Sequence, residues 1–111
     1  MSTVFSKIIA GEIPCKKVFE NERIIAFHDI APAAPVHILI VPKKSIQNLA
    51  DASDEDAAIL GECLMVARDL AKEFNILDGY RVITNSGGNS GQLVFHVHFH
   101  LLGGRKLGPL G

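Results

Sequence analysis

His96-Val97-His98-Phe99-His100 is the stretch from which the rest of the chain can be read. It holds three of the five histidines, at strict alternation. Side chains along a β-strand alternate between faces, so the pattern predicts a strand with His96, His98 and His100 on one face. Val97, Phe99 and Leu101 then point the other way, and Val94, Phe95 and Leu102 continue the β-favouring composition. Such a strand buries an apolar face and lines the other with groups that titrate near neutral pH.

Three readings fit this row. The rings can be solvated or hydrogen-bonded with no further purpose. They can hold a metal: neighbours at i and i+2 are ~6.6 Å apart along a strand, but His96 and His100 are ~13 Å apart, so one ion takes two of them and needs ligands from elsewhere. They can also do nucleophilic chemistry. A neutral imidazole attacks an electrophile, a hydrogen bond at its other nitrogen orients it, and neighbouring imidazoles stabilise charge.

The whole chain bounds these readings. Its 111 residues suffice for one domain, 1–111. A hydrophobic content of 48% with 21% charged residues is that of a globular protein. A net charge of −1 offers no basic footprint for nucleic acid. No apolar run approaches the ~18–20 residues of a membrane span, so no membrane partner is expected. Met1 to Ser6 lacks a basic segment followed by an apolar one, which predicts a cytoplasmic protein. Cys15 and Cys63 read as reduced, structural thiols.

Phe5, Ile8 and Ile9 share one helical face within Val4–Ala10, and Gly11 ends that helix. Lys17–Glu20 and Arg23–Asp29 are β-rich runs separated by Asn21-Glu22, a hairpin signal. Ile25, Phe27 and Asp29 fall on one face of the second run, Ile24, Ala26 and His28 on the other. Ala31-Pro32-Ala33-Ala34-Pro35 is a loop. Val36–Val41 is almost continuously apolar, as a central strand is. The spacing predicts one long helix over Ser53–Phe74, opened by a capping box of Ser53 with Asp56. Its buried stripe is Leu60, Cys63, Leu64, Ala67, Leu70, Ala71 and Phe74. Tyr80–Asn85 is a further strand, and Ser86–Gln92 a polar, glycine-rich loop leading to the histidines. The tail from Gly103 reads as irregular. Five strands, one long and one short helix predict an α+β fold with an antiparallel meander.

The glycine-rich loop lets backbone N–H groups such as those of Gly91 and Leu93 approach an anion. His37 stands alone on an apolar strand, as a core histidine does; beside the histidine strand it supports the other rings instead. Asp29 closes its strand in Phe27-His28-Asp29-Ile30. A carboxylate there is solvated or accepts the hydroxyls of a ribose.

The run Gly91–Leu102 resembles the signature of the histidine triad (HIT) family, His-x-His-x-His followed by apolar residues. Phe5-Ser6-Lys7-Ile8-Ile9, Glu12-Ile13-Pro14, Phe27-His28-Asp29-Ile30, Pro35-Val36-His37, Pro42-Lys43-Lys44 and Leu102-Gly103-Gly104-Arg105 are similar to its Hint branch. The resemblance implies the five-stranded HIT-like fold. It implies a purine nucleoside phosphoramidase that cleaves phosphoramidates or acyl-adenylates at the α-phosphate through a nucleotidyl-histidine. His98 would be the nucleophile, with a ring nitrogen held by the main-chain carbonyl of His96. His96, His100 and His37 would support it or bind the phosphate. Asn85 and the backbone of Gly91, Gln92 and Leu93 would form the phosphate loop, and Asp29 would hold the ribose. Phe5, Ile8, Ile13, Phe27, His28 and Ile30 would form the purine pocket. It also implies a homodimer with a ten-stranded sheet and no cofactor. Transferase relatives carry Gln at the third histidine position, so His100 favours hydrolysis.

Two departures stand out. The position three before His96, commonly Ser or Thr near the leaving group, is Leu93, which has no hydroxyl proton to give. Thr3, Ser6 and Ser45 occupy positions where some bacterial members carry two Cys and a His on zinc. Hydroxyls are poor zinc ligands, so no metal is expected. Dinucleoside polyphosphate hydrolysis of the Fhit type, or a nucleotide-binding scaffold with incidental hydrolysis, are the alternatives.

Overall fold

The computed structural model describes residues 2–110. Its spine is a five-stranded antiparallel sheet ordered β1-β2-β3-β5-β4. The strands are β1 Lys17–Glu20, β2 Ile24–His28, β3 Val36–Pro42, β4 Tyr80–Ile83 and β5 Phe99–Gly103. A short helix α1, Val4–Ile9, precedes them, and a long one, α2, Ala57–Glu73, separates β3 from β4. The first three strands form the expected meander. β5 then enters between β3 and β4, so the last strand in the chain is interior to the sheet. β3 lies between β2 and β5 and is buried along nearly its whole length, as its apolar run requires.

Antiparallel register decides which side chains share a face. Ile38 lies opposite Leu101 and Ile40 opposite Phe99. With Ile24 and Ala26 of β2 these residues pack against Cys63, Val66, Ala67 and Leu70 of α2. The other face carries a smaller cluster of Phe5, Ile25, Phe27, Leu39 and Val41. There Leu39 lies opposite His100 and His37 opposite Leu102. The helix therefore supports the sheet from behind, and His37 and His100 emerge on the opposite side, where α1, Cys15 and Val94 pack.

The helical stretch differs from its expected span at the start. Residues Asp54–Asp56 form a 3₁₀ turn before α2 begins at Ala57. The capping box is present, with the Asp56 carboxylate accepting the Ser53 backbone N–H at 2.9 Å. Asp56 also takes an ion pair from Lys44, which tightens this first turn. Val66 is buried in the stripe in place of Leu64, which is half exposed.

The histidine strand is shorter than expected. Only Phe99 onward pairs as β5; Val94–His98 is irregular. Its backbone is instead moored to the segment after β3: Val97 N–H donates to the Ile46 carbonyl at 2.6 Å. The tail beyond Gly103 is irregular to Leu110, with Gly111 outside the described residues.

Candidate active site

Phe5 marks the histidine face. Its ring meets His98 edge-on at 4.8 Å between centroids and His96 at 6.4 Å. Alternation thus survives the loss of strand geometry, and both rings sit on one side. They do not stand in a row. The His96 Nε2–H donates to the Pro42 carbonyl at 2.7 Å, in the interior, and its Nδ1 is sealed from solvent without a partner. His98 lies next to His100, centroids 5.0 Å apart, and His100 next to His37 at 5.2 Å. The working cluster is therefore His98, His100 and His37, with His96 beneath it.

Each member is held from more than one element. The His98 Nδ1–H donates to the His96 carbonyl at 2.7 Å, and the His98 carbonyl accepts from the Thr84 hydroxyl at 2.8 Å. A carbonyl can only accept, so Nδ1 carries the proton and Nε2 keeps its lone pair. The free ring nitrogens of His98 and His100 are reachable from solvent: among the described residues only His96 Nδ1 is buried without a partner. His37 Nε2 lies 2.9 Å from His100 Nδ1, and the Ala33 N–H donates to His37 Nδ1 at 3.0 Å.

Burial pushes the His98 imidazole below its ordinary pKa, although the bond to the His96 carbonyl works the other way. Burial is likewise the main cause for His37, opposed by the Asp29 carboxylate. For His100, burial and then the charges on His98 and His37 drive the value down to about 4. All three rings are thus neutral at pH 7, and a neutral imidazole is the nucleophilic form.

Asp29 follows β2 directly. One carboxylate oxygen accepts the Ala31 N–H at 2.8 Å and the other lies 3.4 Å from His37 Nε2. A cavity of about 770 Å³ opens beside it, lined among others by Pro14, Cys15, Lys16, Ile30, Pro35 and His37. Pro14 ends the Glu12-Ile13-Pro14 match, whereas Cys15 and Lys16 carry no motif that marks them for this position. Ile30, expected in the purine pocket, is fully exposed at its rim. His28 also lines the cavity, but its ring packs edge-on against Phe74 on the helical side of the sheet. Phe5 and Phe27 are buried and meet edge-to-face at 5.7 Å, a floor under the histidines. Ile8 packs against that floor, and Ile13 is half-buried in the segment between α1 and β1.

The glycine loop is built by its glutamine. Gln92 is buried; its Oε1 accepts the Gly87 N–H at 2.7 Å, and its Nε2 donates to the carbonyls of Gln47 and Val94 at 2.8 and 3.1 Å. Its side chain is therefore spent on the loop itself. Gly91 has φ +96°, a conformation that side-chain-bearing residues adopt only with strain. Asn85 is half-buried at the start of the loop, and Leu93 is 89% exposed at its end.

Asp29, His37 and His100 each offer one ligand atom within 4.8 Å of the others. His37 Nε2 and His100 Nδ1 already share a hydrogen bond, so an ion held by those two nitrogens would have to break it. Thr3 and Ser6, in place of thiols, cap α1 reciprocally.

The family model described as HIT domain matches residues 10–107. The chain belongs to the HIT family. It is 52% identical over 108 residues to a HIT-like protein of Chlamydia pneumoniae, covering 97% of this chain and 98% of that one. A solved HIT family hydrolase from Legionella pneumophila is 45% identical, with a TM-score of 0.92 and 95% of each chain covered. A histidine triad nucleotide-binding protein from Candida albicans is 36% identical with a TM-score of 0.82, covering 99% of this chain and 84% of that one. This likeness covers nearly the whole chain, the histidine stretch included.

Proposed function

We propose that this HIT protein is a hydrolase of purine nucleoside 5′-phosphoramidates or acyl-adenylates, acting at the α-phosphate through a nucleotidyl-His98 intermediate. The observation that carries the reading is the hydrogen bond from His98 Nδ1–H to the His96 carbonyl at 2.7 Å. It leaves the Nε2 lone pair free, beside His100. In the first step the His98 Nε2–P bond forms, the P–N bond breaks, and the departing amine takes a proton from water. In the second, water attacks phosphorus, the bond to His98 breaks, and the nucleoside monophosphate leaves as the water's proton passes to solvent.

The developing positive charge on His98 is eased by the His96 carbonyl, and the phosphate oxygens face His100 and the backbone N–H groups of Gln92 and Leu93; the Gly91 N–H, expected among these donors, is taken by the Gly88 carbonyl at 3.0 Å. Asp29 holds the ribose, and the cavity beside it takes the purine. No metal or cofactor enters these steps. The names of the Legionella and Candida relatives, a hydrolase and a nucleotide-binding protein, support the same direction. Mixing the protein with an adenosine phosphoramidate, quenching rapidly and mapping the adduct by mass spectrometry tests the reading. An adduct on His98 is expected; an adduct elsewhere, or turnover by a His98→Ala variant, defeats it.

The same reading includes a homodimer. β4 is an edge strand whose Tyr80 is exposed, and Leu64 and Met65 are exposed on α2. An open edge beside apolar helix residues is the surface a second copy would cover. Sedimentation at micromolar concentration should give twice the chain mass.

A further inference from the structure

A chain of hydrogen bonds enters the site from the loop at residues 31–35. The Ala33 N–H donates to His37 Nδ1 at 3.0 Å, and His37 Nε2 lies 2.9 Å from His100 Nδ1. A backbone amide can only donate, so His37 Nδ1 must hold a lone pair and, in a neutral ring, the proton sits on Nε2. That proton faces His100 Nδ1, which must then accept, and the His100 proton is left on its Nε2. The Asp29 carboxylate oxygen 3.4 Å from His37 Nε2 favours the same arrangement, since a lone pair there would face its negative charge.

The loop is itself clamped. The Arg105 guanidinium donates to the Ala33 carbonyl at 3.0 Å and to the Lys106 carbonyl at 2.9 Å. Arg105 follows Gly104, whose φ is +98° and where a Cβ would stand 2.9 Å from Pro35 Cβ. The turn after β5 and the 31–35 loop thus touch, and one cation ties them. We propose that the Ala33 backbone N–H, held in place by Arg105, fixes the direction of the protons through His37 and His100, so that His100 always presents an N–H donor to the phosphate. Ala33 and Arg105 are positioning groups; neither touches substrate.

This rests on the proposed hydrolysis only for its kinetic consequence; the proton positions are a property of the free protein. With the amide in place the reverse arrangement, Nδ1–H on both rings, would set two N–H groups head to head at Ala33. Without it that arrangement becomes accessible, and His100 can turn a lone pair toward an anion.

The test replaces the Ala33 amide by an ester through semisynthesis, which removes one N–H and leaves the side chain. The 15N resonances of the histidine rings in the nucleotide-free protein report which nitrogen is protonated. His37 and His100 should both be protonated on Nε2 in the natural chain and in Ala33→Gly, which keeps the N–H. In the ester, and in Ala33→Pro as a recombinant equivalent, both rings should gain the Nδ1–H form. Arg105→Ala should move them the same way by a smaller amount, and Arg105→Lys less again. Turnover of an adenosine phosphoramidate by the ester should fall about tenfold, the worth of one hydrogen bond, mostly in kcat. Folded ester protein with unchanged ring protonation overturns the inference whatever its activity, and so does changed protonation with unchanged kcat. Failure to find an adduct on His98 would instead defeat the proposed hydrolysis and leave the ring assignments standing.

Discussion

His98 is oriented by its own neighbour two residues back: its Nδ1–H meets the His96 carbonyl at 2.7 Å. Orientation of the reactive ring therefore comes from the backbone of the motif, and the His96 side chain serves elsewhere, donating to the Pro42 carbonyl. This separates the roles of two residues that look equivalent in the alternation.

Replacing His98 by Ala should lower turnover of an adenosine phosphoramidate at least about a thousandfold while nucleotide binding persists. His96→Ala should act through the fold. It removes a ring that is 1% exposed and leaves a cavity, costing about 2–4 kcal/mol in urea denaturation. A stable His96→Ala protein with wild-type turnover would contradict the second assignment.

Acid should both inactivate and destabilise the protein. His37, His98 and His100 all have folded values below their ordinary one, so the unfolded chain binds more protons as pH falls. Their contribution is complete above about pH 6.5 and is lost on descending toward about 4, the folded value of His100. Thermal midpoints measured from pH 7.5 to 4 should fall across that window, and less steeply in His100→Gln. Turnover should stay level through pH 6.5 and decline only further into acid, because burial holds the folded His98 below its ordinary value and keeps its lone pair there.

Gln92→Leu should weaken the loop and the binding of nucleoside monophosphate together. The substitution leaves the Gly87 N–H and the Gln47 and Val94 carbonyls without their present partner. We expect a loss of about 2–4 kcal/mol and a several-fold rise in Kd for AMP, measured by calorimetry.

Leu93→Ser should change chemistry and not stability. The side chain is 89% exposed, so its removal should shift stability by no more than about 0.5 kcal/mol. A hydroxyl there can give a proton to the leaving amine, so turnover should rise most for the most basic amines. An unchanged rate across several amines would remove the idea.

Elemental analysis of protein purified without added metal should find far less than one zinc per chain. The hydroxyls of Thr3 and Ser6 are occupied in capping α1.

Local signals were strong where one residue type has one physical use. Asn21 closing the β1–β2 turn, Ser53 with Asp56 before the helix, and the apolar run of β3 all appear as read. The irregular path of Val94–His98 could not be read, because its hydrogen bonds go to carbonyls near Pro42 and Ile46, about fifty residues earlier. Strand order was hidden for the same reason: nothing in the composition of β4 and β5 states which one lies beside β3. In the site, His98 and His100 were legible from their alternation, His37 and Asp29 took their places from the family resemblance, and the structure brings the four together. The Ala33 amide was not, since backbone donors carry no letter. Gln92 was assigned to the loop for its backbone, and its side chain proves to hold the loop's shape.

The position of β5 has a consequence for biosynthesis. A chain leaving the ribosome completes β1, β2, β3, α2 and β4 before β5, yet β4 has no other partner in the sheet. Until the final strand arrives, β3 offers an open interior edge and β4 waits unpaired, both able to recruit a foreign strand. The histidines are thus ordered only once β5 has paired with both β3 and β4.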